Sequence, residues 1–379
     1  MSSQPSEKRA AMPENSAAVL TAPFAPLSIA GAPYPSAGPG ELVIRNRALA
    51  VNPLDSIKQS TGNLMYGWLP YPSVLGEDVA GEVVEAGSGV ASFHPGDRVV
   101  AYAVGMEKKR NHRAEGGFQL YTVVRASLTA PLPDDVAFAD AVVLPLGIST
   151  AASALFQGDQ LGLQHPGAAP TGETVVVWGG STSVGSNAIQ LAAAAGYRVI
   201  TTASPHNHDR MRRLGASEVF DYRSASVVTD ISAAAGTAVA GVFAIGTGSA
   251  EPAVAIAVTT GARRVSLASP SVALDGLPPR TGVSLPLVRL GLRLVASNVA
   301  LQLRCARHGI RARFVWGSTL MDNEVGPMVW GEFLPAALAE GRYQLAPESQ
   351  VVGHGLESLQ PALEALRRGV SARKLVVTL

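Results

Sequence analysis

The chain has 379 residues, 47% hydrophobic and 16% charged, with 39 glycines, 26 prolines and a net charge of +1. That composition excludes a disordered or fibrous chain, and the balanced charge gives no sign of nucleic-acid binding. A single cysteine, Cys305, excludes a disulfide framework and any thiolate zinc cluster built by one chain. No uninterrupted apolar run reaches the ~18 residues of a membrane span. Residues 1–16 are polar without an apolar stretch and read as a disordered tail, not a signal peptide. Together these features predict a cytoplasmic, metal-poor protein with no membrane association.

From Ala17 to about Leu144, short β-type runs alternate with Gly and Pro turns. They include Glu41–Arg45, Asp78–Val84, Asp97–Ala101 and Leu120–Val124, punctuated by Pro39-Gly40 and Pro95-Gly96-Asp97, and they predict an antiparallel β domain. After about Leu146 the period changes. A helical run over Ile148–Leu155 precedes an apolar strand, Thr174–Trp178, which is followed by Gly179-Gly180-Ser181-Thr182-Ser183-Val184-Gly185 and an Ala-rich helix. Strands at Arg198–Ala203, Val239–Ile245 and Arg264–Ala268 alternate with further helical runs, the pattern of βαβ units and a parallel sheet. Helices around Gly331–Ala339 and Leu356–Arg367 and a strand Lys374–Leu379 complete the chain.

The glycine-rich turn carries the chemistry. A strand, a turn of glycines and a helix aim free backbone N–H groups and the positive end of the helix dipole at a pyrophosphate. Thr182 stands where the usual fingerprint has its central glycine. The end of the second strand selects between nicotinamide cofactors, because an acidic residue there would hold a ribose 2′-hydroxyl. Here that place is Ser204, followed by His206 and Asn207, with Arg210 near and Tyr222 after the next strand. These are donors for a 2′-phosphate, and no carboxylate repels one.

On these stretches the chain resembles the medium-chain dehydrogenase/reductase superfamily, in its zinc-free, quinone-oxidoreductase-like branch, and within it the trans-acting enoyl reductases of polyketide pathways. The matching segments are Asn52-Pro53-Leu54-Asp55, Leu75-Gly76-Glu77-Asp78-Val79-Ala80-Gly81, Gly96-Asp97-Arg98-Val99 and Gly116-Gly117-Phe118. Others are Gly147-Ile148-Ser149-Thr150-Ala151, the glycine turn, Ser204-Pro205-His206-Asn207, Val219-Phe220-Asp221-Tyr222-Arg223 and Lys374-Leu375-Val376-Val377.

The resemblance implies an α/β protein with a GroES-like, β-rich catalytic domain, from 17–145 and 320–379, around a doubly wound Rossmann domain over 146–319. It implies NADPH as cofactor, with Ser181, Thr182, Ser183 and Val184 on the pyrophosphate and Gly179, Gly180 and Gly185 in the same cofactor-binding turn. Ser204, His206, Asn207 and Tyr222 would hold the 2′-phosphate, and Asn52, Thr150, Leu267, Ala268, Val370 and Ser371 would line the rest of the cofactor. Gly147, Ile148, Ser149, Phe314 and Trp316 would border the substrate. Thr150, Lys58 and Tyr66 would serve the reaction, with Tyr71 a second candidate proton donor. The family pattern Asn-Pro-x-Asp-x-Lys has its lysine at the place of Ile57, so Lys58 is one residue displaced.

The zinc-dependent branch needs a histidine where this chain has Gly76-Glu77-Asp78, so a metal site is not expected. Without a metal to polarise a carbonyl, reduction of an activated C=C bond in an enoyl thioester or enone is the natural reaction. The alternatives are a broad NADPH:quinone reductase and a non-catalytic dinucleotide-binding sensor. From Gly276 to Met321 there is no acidic residue and there are seven arginines, at 280, 289, 293, 304, 307, 311 and 313. The spacing of Arg289/Arg293 and of Arg304/Arg307/Arg311 places each set on one helix face. Such a face suits an anionic acyl carrier protein or coenzyme A thioester, or else a solvated or oligomer-facing surface; the oligomeric state is left open.

Overall fold

The computed structural model describes residues 13–269 and 285–379. Eight strands come first: β1 (Asn15–Leu20), β2 (Leu27–Ala32), β3 (Glu41–Ala50), β4 (Ser73–Val74), β5 (Asp78–Ala86), β6 (Arg98–Tyr102), β7 (Tyr121–Arg125) and β8 (Thr129–Pro131). Then follow β9 (Thr174–Trp178), β10 (Arg198–Thr202), β11 (Glu218–Phe220), β12 (Val239–Ala244), β13 (Arg264–Leu267) and β14 (Arg311–Phe314). The last two are β15 (Glu348–His354) and β16 (Arg373–Thr378). Residues 1–12 of the expected tail lie outside the described residues. Its end is not a tail: Asn15 and Ser16 begin β1, where the Asn15 amide bonds the Pro33 carbonyl and the Gln119 side chain.

Strands β9–β14 form one parallel sheet in the order β11-β10-β9-β12-β13-β14. This is the doubly wound order of a Rossmann sheet, whose ligand crevice lies where the strand order reverses, beside β9. Val175, Val176 and Val177 of β9 have no exposure, as expected of a central strand covered on both faces. The other large sheet runs β15-β16-β3-β5-β6-β8 with β7 on β3, so β16, near the C-terminus, pairs antiparallel with β3, near the start. The two sheets share the helix Pro145–Phe156. Its apolar length, with the short turn before it, gives a 19-residue run Phe138–Phe156 of mean hydropathy 1.6. By length and composition that run could cross a membrane, against the sequence expectation, yet 83% of it is buried inside the protein.

A buried ionic knot joins these parts. Lys374 on β16 meets Asp78 on β5 at 2.8 Å and donates to the Asn52 side-chain oxygen. The Asn52 amide in turn donates to Asp78 at 2.9 Å. The other Asp78 oxygen accepts the Leu146 N–H at 2.7 Å, capping the first turn of Pro145–Phe156. Asp55 accepts the Asn52 N–H at 2.7 Å and starts the helix Pro53–Thr61. Asp78 and Asp55 have no exposure.

The long helix Leu285–Arg307 is held by Leu301 and Cys305. Arg289, Arg293, Arg304 and Arg307 share one flank at helical spacing, beside Val288, Leu292, Val295, Val299 and Leu303, which are 43–65% exposed. Arg311 does not extend this set: Gly309, at φ +63°, ends the helix, and Arg311 lies in β14. Arg304 pairs with Glu251 and Arg313 with Asp159, while Arg280 lies outside the described residues.

Removing one partner of a buried ion pair typically costs ~3–5 kcal/mol. Lys374→Met should therefore lower unfolding free energy in urea on that scale, and Lys374→Met with Asp78→Asn should recover most of it. A loss below about 1 kcal/mol for the single variant would show that the knot contributes little.

Candidate functional site

The turn after β9 is shaped by close approaches. A Cβ on Gly185 would lie 2.2 Å from the Gly179 carbonyl oxygen, one on Gly180 2.3 Å from the Thr201 hydroxyl, and Gly179 sits at φ +92°. Thr182 caps the helix Ser183–Ala194: its hydroxyl accepts the Gly185 N–H at 2.9 Å and donates to the Gly179 carbonyl at 2.8 Å. The N–H groups of Ser183 and Val184 have no protein acceptor among the described residues, and Ser181–Val184 are part-exposed at the crevice. This is a cradle for a pyrophosphate.

Beyond β10, Ser204 leads a short turn, Pro205–Asn207. His206 and the Asn207 amide both reach the Ser371 hydroxyl, at 3.5 and 3.4 Å, so donors from the two sheets meet there. Tyr222 is exposed, with the Arg223 guanidinium 5.1 Å from its ring centroid. Arg210 is not a free cation here, since it donates to the Ala372 carbonyl and pairs with Glu348. Leu267 and Ala268 end β13, and Val370 adjoins Ser371. A nicotinamide dinucleotide fits this set, with the Ser181–Val184 turn on its pyrophosphate and Ser204, His206, Asn207, Ser371 and Tyr222 around its adenosine ribose.

At the other end of the crevice the structure corrects several expectations. Asn52, expected at the cofactor, is buried, and its amide is engaged at both ends by Asp78 and Lys374, which gives it a structural role. Lys58 is not a catalytic group. It has no exposure, and its ammonium donates to Asn63 and Tyr66 at 2.9 Å and to Leu69 at 3.2 Å, tying down the loop 62–71. Burial lowers its pKa. Ile148 and Ser149 turn into the core, where the Ser149 hydroxyl accepts the Trp330 indole N–H at 3.2 Å; Gly147 packs on Ser183 and Asn187. These three do not border a substrate. Thr150, one step on, packs on Gly317, and its hydroxyl has no partner among the described residues.

Tyr66, at φ +54°, is buried between the Trp68 and Trp316 rings, with centroids 5.2 and 5.5 Å away, and its hydroxyl has no partner among the described residues. Burial first, and then the charges of Glu77, Glu107 and Asp55, raise its pKa above the ordinary phenol value, so it stays a protonated donor. Tyr71 lies under the Lys58 ammonium, and its pKa is also raised by burial. Phe314 is exposed beside Trp316, whose indole donates to Glu107 at 2.8 Å.

The sequence reading missed the acidic group behind these rings. Glu77 has no exposure and, among the described residues, no ion-pair partner within 4 Å. One oxygen lies 3.4 Å from the Tyr102 hydroxyl, the other has no hydrogen-bond partner there, and only the more distant Lys374 ammonium opposes its protonation. Burial, then Asp55, Glu107 and Asp78, hold its pKa well above the usual carboxylate range. Asp55 is pushed up to about 7, burial outweighing the Asn52 N–H bond that opposes it. The one legible signal was the placing of Glu77 and Asp78 in a run of buried β residues.

This sets a pH prediction. An unfolded aspartate titrates near 3.9, so between about pH 4 and 7 the folded chain keeps a proton on Asp55 that the unfolded chain has lost. Stability from this group is therefore present at low pH and lost as pH rises through that window. Asp55→Asn keeps the acceptor for Asn52 and removes the titration. Its stability relative to wild type, read from urea midpoints, should rise by about 3–4 kcal/mol from pH 4 to 7.5. A pH-independent difference would contradict the assignment.

Residues 38–134 match the alcohol dehydrogenase GroES-like domain family. Along nearly the whole chain the sequence is similar to Dehydrogenase pigH of Monascus ruber, 46% identical over 374 residues, 97% of this chain and 100% of that one. It is also similar to Trans-enoyl reductase himH of Aspergillus japonicus, 40% identical over 341 residues, 89% of each. An alcohol dehydrogenase superfamily protein from Novosphingobium aromaticivorans shares the fold, with a TM-score of 0.70 at 24% identity over 96% of this chain and 99% of that one. The chain thus belongs to the medium-chain dehydrogenase/reductase family, as an enoyl-reductase-like oxidoreductase using a nicotinamide dinucleotide.

Proposed function

We propose that the protein is an NADPH-dependent, zinc-independent reductase of an activated C=C bond, in an enone or in an enoyl group carried as a thioester. One observation carries this reading: the chemical end of the crevice gathers protonated, neutral donors, not metal ligands. Tyr66 and Glu77 are buried with raised pKa values, and the chain's one cysteine, Cys305, sits on the inner face of the helix Leu285–Arg307, among the core residues of the parallel sheet. The names of relatives such as Trans-enoyl reductase himH agree with it.

When bound, the reduced nicotinamide supplies a hydride. The chain's own part is to orient and to manage protons. Thr150, whose helix is fixed by Asp78, offers a hydroxyl beside the crevice. Tyr66 is buried behind the Trp68 and Trp316 rings, so it offers a phenol proton to the α-carbon, or a hydrogen bond to the developing enolate oxygen, only once a bound acceptor displaces those rings; the neutral form of Glu77 keeps a negative charge away from that oxygen. The rings of Tyr66, Trp68 and Trp316 exclude water around a planar, conjugated acceptor.

NADPH preference rests on Ser204, His206, Asn207 and Tyr222, and on the lack of a carboxylate at position 204. A hydrogen bond to a charged group is worth roughly 1.5–3 kcal/mol, about ten- to a hundred-fold in affinity. Dissociation constants should favour NADPH over NADH by at least that factor, and Ser204→Asp should narrow or reverse the preference. Equal binding of both cofactors would overturn the NADPH assignment. Oxidation of NADPH should proceed with enones and enoyl thioesters after dialysis against chelator, and loss of activity restored by zinc would overturn the metal-free mechanism.

A further inference from the structure

We propose that the exposed face of the loop 108–113, at the mouth of the aromatic crevice, is a subsite for the phosphates of the acceptor's thioester handle. The proposal deepens the enoyl-reductase reading and rests on it.

Three observations place this loop at the crevice. The Trp316 indole, at the end of β14, donates to Glu107 at 2.8 Å, and the Trp68 indole donates to the Met106 carbonyl at 3.0 Å. The Lys108 ammonium stands 4.6 Å from the Trp68 ring centroid, and Trp68 is the ring next to Tyr66. Apolar side chains form an open rim here: Leu64, Trp68 and Phe314 are 51%, 38% and 48% exposed. An unsaturated chain reaching Tyr66 would leave the protein along this rim and pass Lys108.

The charge on the loop is one-sided. Glu107 and Glu115 are buried and turned inward, to Trp316 and to Arg110. Arg110 is neutralised by Glu41 and Glu115. Lys108, Lys109 and Arg113 are exposed, and none forms a salt bridge within 4 Å among the described residues; Lys108 alone feels a carboxylate, that of the buried Glu107 beside it. The backbone that presents them is rigid: Asn111 and Glu115 bond each other through main-chain and side-chain groups, His112 reaches the Gly105 carbonyl, and Gln119 holds the Arg113 carbonyl. Three exposed cations on a fixed loop beside an apolar slot match an acyl group whose other end bears phosphate. Coenzyme A and the phosphopantetheine of a carrier protein share that chemistry. The arginine flank of the helix Leu285–Arg307 is also cationic, but none of the contacts above joins it to the aromatic crevice.

The test uses the full chain at saturating NADPH with 2-hexenoyl-coenzyme A, its phosphate-free analogue 2-hexenoyl-S-pantetheine, and a carrier-bound 2-hexenoyl group. KM for the coenzyme A thioester should be lower than for the pantetheine one. Lys108→Glu/Lys109→Glu should raise the ratio of the two KM values about five-fold or more, the scale of reversing two exposed ion pairs. Added salt should do the same in the wild type. Lys109→Glu/Arg113→Glu, which spares the contact with Trp68, should act likewise if the first variant folds poorly. Arg293→Glu/Arg307→Glu should leave the ratio alone. Whichever of the coenzyme A and carrier forms has the lower KM identifies the source of the handle. A ratio unmoved by both loop variants, or moved equally by the arginine variant, overturns the subsite. If both thioesters are reduced with equal KM, the subsite fails and the enoyl-reductase reading stands; if neither thioester nor a neutral enone is reduced, both fall.

Discussion

A lysine and an aspartate without access to water are tolerable only if they meet, and the meeting of Lys374 with Asp78 organises this protein. The pair draws the C-terminal strand against β3 and β5 and fixes the Asn52 turn from which the helix Pro53–Thr61 departs. The spare oxygen of Asp78 holds the first N–H of the helix that carries Thr150 into the nucleotide domain. One carboxylate therefore ties together β16, the Asn52 turn and the helix Pro145–Phe156. The desolvation cost of such a pair is offset only by complete hydrogen bonding, and here every partner is supplied by a different part of the chain.

The same economy of charge explains the far side of the crevice. Behind Tyr66, Glu77 and Asp55 share a space that only the one ammonium of Lys374 reaches, so burial favours their protonated forms. The groups behind the crevice are thus held as uncharged donors. Aromatic rings cover these donors on the solvent side, and Lys58 holds the covering loop from beneath through three hydrogen bonds. A group that sequence alone suggests as chemical is in this chain a fastening.

Much of the fold was legible because strand patterning is local. The valines of β9, the glycines after it and the Thr182 cap announce a nucleotide-binding turn without any tertiary information. The errors arose where orientation, not identity, decides. Ile148, Ser149 and Thr150 are consecutive on a helix, so each is turned about 100° from the last, and of the two hydroxyls only that of Thr150 is without a partner among the described residues. Arg311 looked like the next turn of a helix because periodicity does not register that Gly309 has already ended it. The acidic cluster was hidden because residues 55, 77 and 107 are far apart in sequence. Pairing of Asp78 opposite both Ala50 and Tyr102 brings the segments that carry them together.

The central claim is that this site delivers a hydride to carbon of a C=C bond and a proton to its neighbour. It is tested most directly by turnover of an enone or enoyl thioester with NADPH deuterated at the transferred position, followed by NMR of the product. The account predicts one deuterium at the β-carbon and a solvent-derived hydrogen at the α-carbon, with the carbonyl intact. Deuterium on the former carbonyl carbon, with an alcohol as product, would contradict it.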